Sequence, residues 1–144
     1  MTSSVNFDNS FITDMKSQMI KGADAMAGYY TFEARQMALG NRGESFKAFQ
    51  TGQTANSFFF ERLSSLVRKV ANDAPWYNII ELGSRPHVIK AVNKKFLHFV
   101  IDGQDIFVKS VKHPGTSPNP ILMITSSIVN DSRVLDAVQE AMNA

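Results

Sequence analysis

The sequence predicts an α+β protein in which a small antiparallel sheet with a central β-hairpin packs against a long N-terminal helix and C-terminal helices. Apolar residues recur at every third or fourth position near both ends of the chain, which is the period of a helix. Around residue 100 the period changes to alternation on both sides of an Asp-Gly pair. With 144 residues the chain has the size of one domain, so we expect residues 1–144 to form a single domain.

The composition narrows the class of protein. Hydrophobic residues make up 44% and charged residues 19% of the chain, which argues against wholesale disorder. The longest apolar run, residues 121–124, is far shorter than the roughly 20 residues of a membrane span, and the N-terminus lacks the pattern of a signal peptide. We therefore expect no membrane association. The absence of cysteine excludes disulfides, thiolate metal sites and cysteine nucleophiles.

The first predicted helix runs from Phe11 to about Leu39, with Ser10 as its cap and Gly40 as its stop. Residues 1–9 precede it and are expected to be flexible, because they are polar and terminal. The helical period rests on a stripe of apolar residues along one face: Phe11, Met15, Met19, Ala23, Met26, Tyr30, Ala34 and Met37.

Three further stretches complete the helical part of the prediction. Residues 40–55 contain three glycines and little periodicity, which predicts a flexible loop. Residues 57–71 carry apolar residues on one helical face and predict a second helix that ends at Asn72–Pro75. After Pro120 the pattern is helical or mixed to residue 129, and a last helix follows through residues 132–142.

The middle of the chain predicts strands. Residues 76–82 are rich in aromatic and β-branched residues and stop at Gly83, which predicts a strand followed by a turn. Residues 96–101 and 104–109 alternate around Asp102-Gly103, which predicts a β-hairpin with a two-residue turn. The short turn sets the register, with Ile101 opposite Gln104 and the remaining pairs following outward.

The register divides the hairpin into two faces. One face is strongly apolar and is expected to lie in the core; it holds Leu97, Phe99, Ile106 and Val108. The other face carries Phe96, Val100 and Phe107 among charged residues, which is too apolar for a surface that meets only water. A mixture of aromatic and charged residues is typical of a protein interface, and a helix of the same chain is the alternative cover for this face.

A series of motifs between residues 74 and 125 is informative as a whole. Residues 80–87 read Ile-Glu-Leu-Gly-Ser-Arg-Pro-His, a basic and aromatic hairpin follows, and residues 107–116 end in His-Pro-Gly-Thr. Asn119-Pro120 then precedes an apolar run. In this order and spacing the motifs resemble the tail-completion (head–tail joining) proteins of tailed bacteriophages. One departure is Pro120-Ile121, where that family usually has Pro-Phe.

The resemblance implies a structural virion protein without enzymatic activity or cofactor. Such a protein assembles in the host cytoplasm as a ring, of six or twelve copies, in the neck of the virion. Its partners are other copies of itself, the adjacent neck, connector and tail proteins and, weakly, the double-stranded DNA that passes through. Whether it acts as a tail terminator or as a connector nearer the portal stays open.

Two sets of residues follow from this interpretation. The residues expected at the interface between subunits are Arg85, His87, Lys94, Lys95, Phe96, His98, Val100, Phe107 and Lys109. The residues expected to shape the backbone at turns are Gly83, Asp102, Gly103, Pro114 and Gly115. The basic residues of this set are expected to pair with acidic residues of the neighbouring subunit, for which Glu33, Glu44 and Glu61 are the candidates.

The residues of this region also suggest three other functions. A metal site of His87, His98 and His113 lacks a ligand spacing known for zinc and is disfavoured. Catalysis is disfavoured because Ser84 and His87, in a turn, are the only nearby pair of nucleophile and base. A nucleic-acid-binding module is the stronger alternative, since six lysines and arginines oppose two aspartates between Arg85 and Lys112, interleaved with aromatic residues.

Overall fold

The computed structural model describes residues 8–43, 48, 52–128 and 132–144. The chain divides into two compact units, one of residues 1–77 and 120–144 and one of residues 78–119. Much of the stretches 1–9 and 40–55, for which flexibility was expected, lies outside the described residues. In chain order the elements are α1 (Asn9–Ala38), α2 (Gln53–Asn56), β1 (Phe58–Arg62), β2 (Arg68–Asn72), α3 (Tyr77–Leu82), β3 (His87–Lys90), β4 (Leu97–Ile101), β5 (Gln104–Val108), β6 (Ser110–His113), α4 (Ile121–Ile128) and α5 (Ser132–Asn143).

The mixed α+β class is confirmed. A long N-terminal helix, C-terminal helices that pack on it and small antiparallel sheets are all present. The strands form three two-stranded sheets, β1 with β2, β3 with β6 and β4 with β5.

Helix α1 begins at a different cap from the one expected. The carboxylate of Asp8 accepts the backbone N–H of Phe11 at 2.8 Å and the hydroxyl of Ser10 at 2.6 Å. A carboxylate is the better cap here because its charge also interacts favourably with the N-terminal end of the helix dipole. These bonds, the one from Ser10 foremost, hold the pKa of Asp8 below its ordinary value. At the other end Gly40 adopts a φ of 83° and donates its N–H to Met37 O.

The C-terminal helices form the core of the first unit with α1. Ala34 and Met37 of α1 are buried, as are Ile121 of α4 and Val134 of α5. Gly22 allows α5 to approach closely, because a Cβ at this position would lie 3.1 Å from the sulfur of Met142. The hydroxyl of Tyr30 donates to Leu122 O and fastens α4 to α1.

The prediction of a helix over residues 57–71 is wrong. The segment forms the antiparallel hairpin β1–β2, with Phe58 opposite Asn72 and Arg62 opposite Arg68. Three consecutive phenylalanines favour a strand, and the Lys69 ammonium pairs across the strands with Glu61 at 2.9 Å. The apolar residues that imitate a helical stripe lie mostly in the loop between the strands, at residues 63–67.

The prediction of a strand over residues 76–82 is also wrong, because the segment forms the short helix α3. Tyr77 and Ile80 are buried while the two residues between them are exposed, which is the helical period. The ring of Tyr77 meets the ring of Phe58 edge to face, with centroids 5.3 Å apart. The segment is too short for its composition to distinguish the helical period from the strand period. The burial of Tyr77 and Ile80, three positions apart, shows that the period is helical.

Candidate interaction surfaces

The hairpin β4–β5 has the predicted register. Its five pairs run from Ile101 opposite Gln104 to Leu97 opposite Val108. Asp102 and Gly103 adopt φ angles of 50° and 79°, so both turn residues lie in the left-handed region that a tight two-residue turn requires. This turn fixes which side chains share a face.

The two faces of this hairpin differ in exposure. The face expected in the core, with Leu97, Phe99, Ile106 and Val108, is half-buried. The opposite face, which we name the ribbon face, consists of Phe96, His98, Val100, Asp105, Phe107 and Lys109, and all of these are exposed. Val100 is 60% and Phe107 is 61% exposed, values that are high for apolar side chains in a sheet.

His98 organises the ribbon face. Its ring stacks on that of Phe107, with centroids 4.5 Å apart and planes 13° from parallel. Its Nε2 lies 2.6 Å from Oδ1 of Asp105. The stacking and the contact with Asp105 hold the ring of His98 in place, and the ring of Phe107 packs against it, so the face presents a stacked aromatic pair to solvent.

The second unit has almost no core. Within residues 78–119, which the structure describes in full, Ile80 is the only buried residue. Val92 is 89% and Leu82 is 74% exposed. A unit of this kind leaves much of its apolar surface in water, which favours association with another protein surface.

Two glycines hold the ends of the second unit together. Ser84 and Thr116 exchange backbone hydrogen bonds of 2.9 and 3.1 Å. Gly83 and Gly115, next to this bridge, have φ angles of 71° and 92°. A Cβ on Gly83 would lie 2.5 Å from Thr116 O, and one on Gly115 would collide with Ser84 O. Both positions therefore require glycine.

All nine residues expected at a subunit interface are exposed, but the four of them that lie in strands belong to two sheets. His87 opens β3, and its ring lies 5.0 Å from that of His113 on β6, whereas His98 lies on β4. Nδ1 of His87 lies 2.9 Å from Arg85 O, and Nδ1 of His113 accepts the N–H of Gly115. Across the described part of the chain, no three histidine, aspartate or glutamate side chains form a cluster that could hold a metal ion.

Two of the three expected acidic partners, Glu33 and Glu61, pair with basic residues of their own chain. The carboxylate of Glu33 is 3% exposed and receives two hydrogen bonds of 2.8 Å from Arg42. Glu33 therefore raises the pKa of Arg42. Glu61 pairs with Lys69, and Glu44 lies outside the described residues. A neighbouring subunit therefore does not find the carboxylate of Glu33 at the surface.

The first unit also contains an apolar groove that no sequence pattern predicted. The groove has a volume of about 600 Å³, and we name it the α1 groove after the helix that forms its floor. Its walls come from α1, from the loop and strand after β1, and from α4, mainly through Met26, Tyr30, Leu66, Val67, Val70 and Leu122. The three consecutive phenylalanines at residues 58–60, which favour a strand, are the signal that could have revealed the hairpin that forms one wall.

An ion cluster fixes this wall to α1. Asp24 of α1 binds Arg62 and Arg68, and the distance from Arg68 Nε to Asp24 Oδ1 is 2.5 Å. The two arginines face each other across β1–β2, so the carboxylate between them offsets their repulsion. The arginines, Arg62 foremost, hold the pKa of Asp24 below its ordinary value, and Asp24 raises the pKa of Arg62.

No family model, curated protein or solved structure matches this chain. None of the helices that the structure describes has both the length and the apolar character needed to cross a membrane.

Proposed function

We propose that this chain is a structural virion protein of the tail-completion (head–tail joining) class, which forms a homo-oligomeric ring in the neck of a tailed bacteriophage. The observation that carries the proposal is the ribbon face, an exposed surface with a stacked aromatic pair on a unit with one buried residue. The motifs at residues 80–87 and 107–116 supply the class, through their resemblance to that family.

A ring of identical subunits requires a particular kind of interface. One surface of each copy must meet a different surface of the next copy, because a surface that pairs with itself produces only a closed dimer. A rigid ribbon with exposed aromatic side chains suits one side of such a contact, since little side-chain entropy is lost on binding. The basic residues beside it, such as Lys94, Lys95 and Lys109, serve orientation more than affinity.

In this proposal the chain is not an enzyme and needs no cofactor. It is assembled in the host cytoplasm and ends in the virion, in contact with adjacent neck, connector and tail proteins. DNA passes the ring and is held weakly, because the net charge of the chain is only +2.

Native mass spectrometry on the ribbon variant Phe107→Asp tests the proposal. We expect wild-type protein to form closed rings and Phe107→Asp to give a folded protomer that does not assemble. Val92→Asp is the matched control, because Val92 is exposed in the same unit but lies outside the ribbon face. Wild-type protein that stays monomeric at millimolar concentration, or rings formed by Phe107→Asp, would contradict the proposal.

A nucleic-acid-binding module is the second candidate. Exposed Phe96 and Phe107 beside three lysines favour it. Against it, one face of the Phe107 ring is already stacked on His98, and Asp105 places a negative charge on the same surface. Fluorescence anisotropy with single-stranded oligonucleotides at two salt concentrations distinguishes the candidates, because tight and steeply salt-dependent binding is expected only of the module.

A further inference from the structure

The α1 groove is a second exposed apolar surface, and it lies in the first unit. Met26 on α1 and Leu66 and Val67 on the loop after β1 are each more than two fifths exposed. We propose that the α1 groove of one copy receives the ribbon face of the next copy. This inference rests on the proposed function, because it names the surface that the ring interface needs opposite the ribbon.

The shapes of the two surfaces fit this role. The ribbon is a narrow two-stranded element with aromatic side chains on its outer face, and the α1 groove is a concave surface with walls on three elements. A groove of about 600 Å³ is within the range of about 300–1,000 Å³ that encloses groups larger than one aromatic ring. The groove therefore has room for the side chains that the ribbon presents.

Each surface exposes three large apolar side chains. On the ribbon face Phe96, Val100 and Phe107 are 44%, 60% and 61% exposed, and beside the groove Met26, Leu66 and Val67 are 42%, 46% and 52% exposed. A standard interface buries about 800 Å² on each partner, and somewhat more than half of that is apolar. The two patches therefore contribute similar apolar groups to one such contact, and the charged residues around them supply the rim.

The charges of the two surfaces are complementary. Residues 98–107, the outer part of the ribbon, contain Asp102 and Asp105 and no lysine or arginine. Residues 58–72, which form one wall of the groove, contain three basic residues and one acidic residue. Asp24 lowers that excess of two positive charges to one. The acidic tip of the ribbon and the net charge of +1 on the wall favour an orientation of docking in which the tip lies at this wall, while Lys109 lies at the other end of the ribbon face.

The groove is held ready before binding. Arg62 and Arg68 bind Asp24 on α1, and the hydroxyl of Tyr30 donates to Leu122 O on α4. Both sets of bonds connect two of the walls, so the groove does not have to form when the ribbon arrives. Such preorganisation lowers the entropy lost on binding.

Two assembly-defective variants, mixed, provide the test. Leu66→Asp blocks the groove and keeps an intact ribbon, whereas Phe107→Asp blocks the ribbon and keeps an intact groove. We expect each variant alone to be monomeric in native mass spectrometry. A mixture in equal amounts gives a heterodimer and nothing larger, because one good contact forms and neither free side can continue the ring.

Matched controls address folding and the choice of surface. Val67→Asp is a second groove variant, and circular dichroism with thermal melting checks that both groove variants are folded. Phe32→Asp and Met15→Asp change exposed apolar residues of α1 outside the groove, and we expect both to form rings like wild type. The inference would be overturned if both groove variants were folded and still formed rings. It would also be overturned if only Phe32→Asp or Met15→Asp lost the rings. In either case the proposed ring itself would remain supported. Monomeric wild type would overturn both.

Cross-linking adds a readout that does not depend on loss of assembly. The chain contains no cysteine, so single cysteines report single positions. We expect Leu66→Cys and Val100→Cys proteins, mixed and oxidised, to form a mixed disulfide at least tenfold faster than Phe32→Cys and Val100→Cys. Equal rates would contradict docking of the ribbon in the groove.

Discussion

Truncation of Phe58 distinguishes most sharply between a hairpin and a helix at residues 57–71. Phe58 is fully buried, and its ring lies edge-on to that of Tyr77 at 5.3 Å. In the predicted helix the apolar stripe passes through Phe59 instead, and Phe58 lies off it. Replacing Phe58 by alanine removes a complete buried ring, which costs about 3–5 kcal/mol, including about 0.5–1.5 kcal/mol for the aromatic pair.

Urea denaturation followed by tryptophan fluorescence measures this loss. Trp76 is the only tryptophan and donates its indole N–H to Thr54 Oγ1 at 3.1 Å, so its emission reports on the first unit. With a slope of about 2 kcal/mol per molar urea, we expect the midpoint to fall by about 1.5–2.5 M.

Phe60→Ala is the matched control for this experiment. Phe60 lies two residues along the same strand and is 37% exposed, so its truncation should cost under about 1.5 kcal/mol. Equal losses of stability in Phe58→Ala and Phe60→Ala would refute this packing of β1, because Phe58 is buried and Phe60 is exposed.

Two further predictions concern the ion cluster and the glycine bridge. Because the pKa of Asp24 is lowered in the folded protein, the Asp24 carboxylate takes up a proton more readily in the unfolded chain. The stabilisation that its ion pairs provide is therefore present above the ordinary pKa of 3.8 and is lost as the pH falls through the folded pKa. Urea midpoints of wild type and Asp24→Asn should therefore differ at pH 6 and converge toward pH 2, and a constant difference would argue against the pairing. The second prediction is that Gly115→Ala makes residues 78–119 far more susceptible to limited proteolysis, because the Cβ of the introduced alanine would collide with Ser84 O. Gly103→Ala, which meets no atom within 4 Å, should cost only about 1 kcal/mol of backbone strain, and equal susceptibility of both variants would contradict the proposed bridge.

The exposed surfaces explain why assembly and stability should respond to different substitutions. The core of the first unit rests on residues such as Met37, Phe58 and Ile121, which are buried. The ribbon face and the rim of the α1 groove contribute little to that core because their side chains are exposed. Variants of the surfaces are therefore expected to fold and fail to assemble, whereas variants of the core are expected to lose both.

Sequence patterns predicted the elements whose geometry is local. The register of β4–β5 followed from Asp102-Gly103, because a two-residue turn leaves one way to pair the flanking strands. The long helix α1 followed from its period over 30 residues, and its cap was misplaced by two residues because Asp8 and Ser10 are both good caps. The division of the ribbon into two faces followed from the register, but their exposure did not, because the face expected in the core is only half-buried.

Only the tertiary structure decided the short or ambiguous segments. Residues 57–71 and 77–82 each contain apolar residues that satisfy two periods, and packing against the rest of their unit selects one. The α1 groove could not be predicted, because its walls come from segments that lie up to about a hundred residues apart and meet only after folding. Local turn chemistry thus determined one side of the proposed contact, while the other side exists only where three distant elements come together.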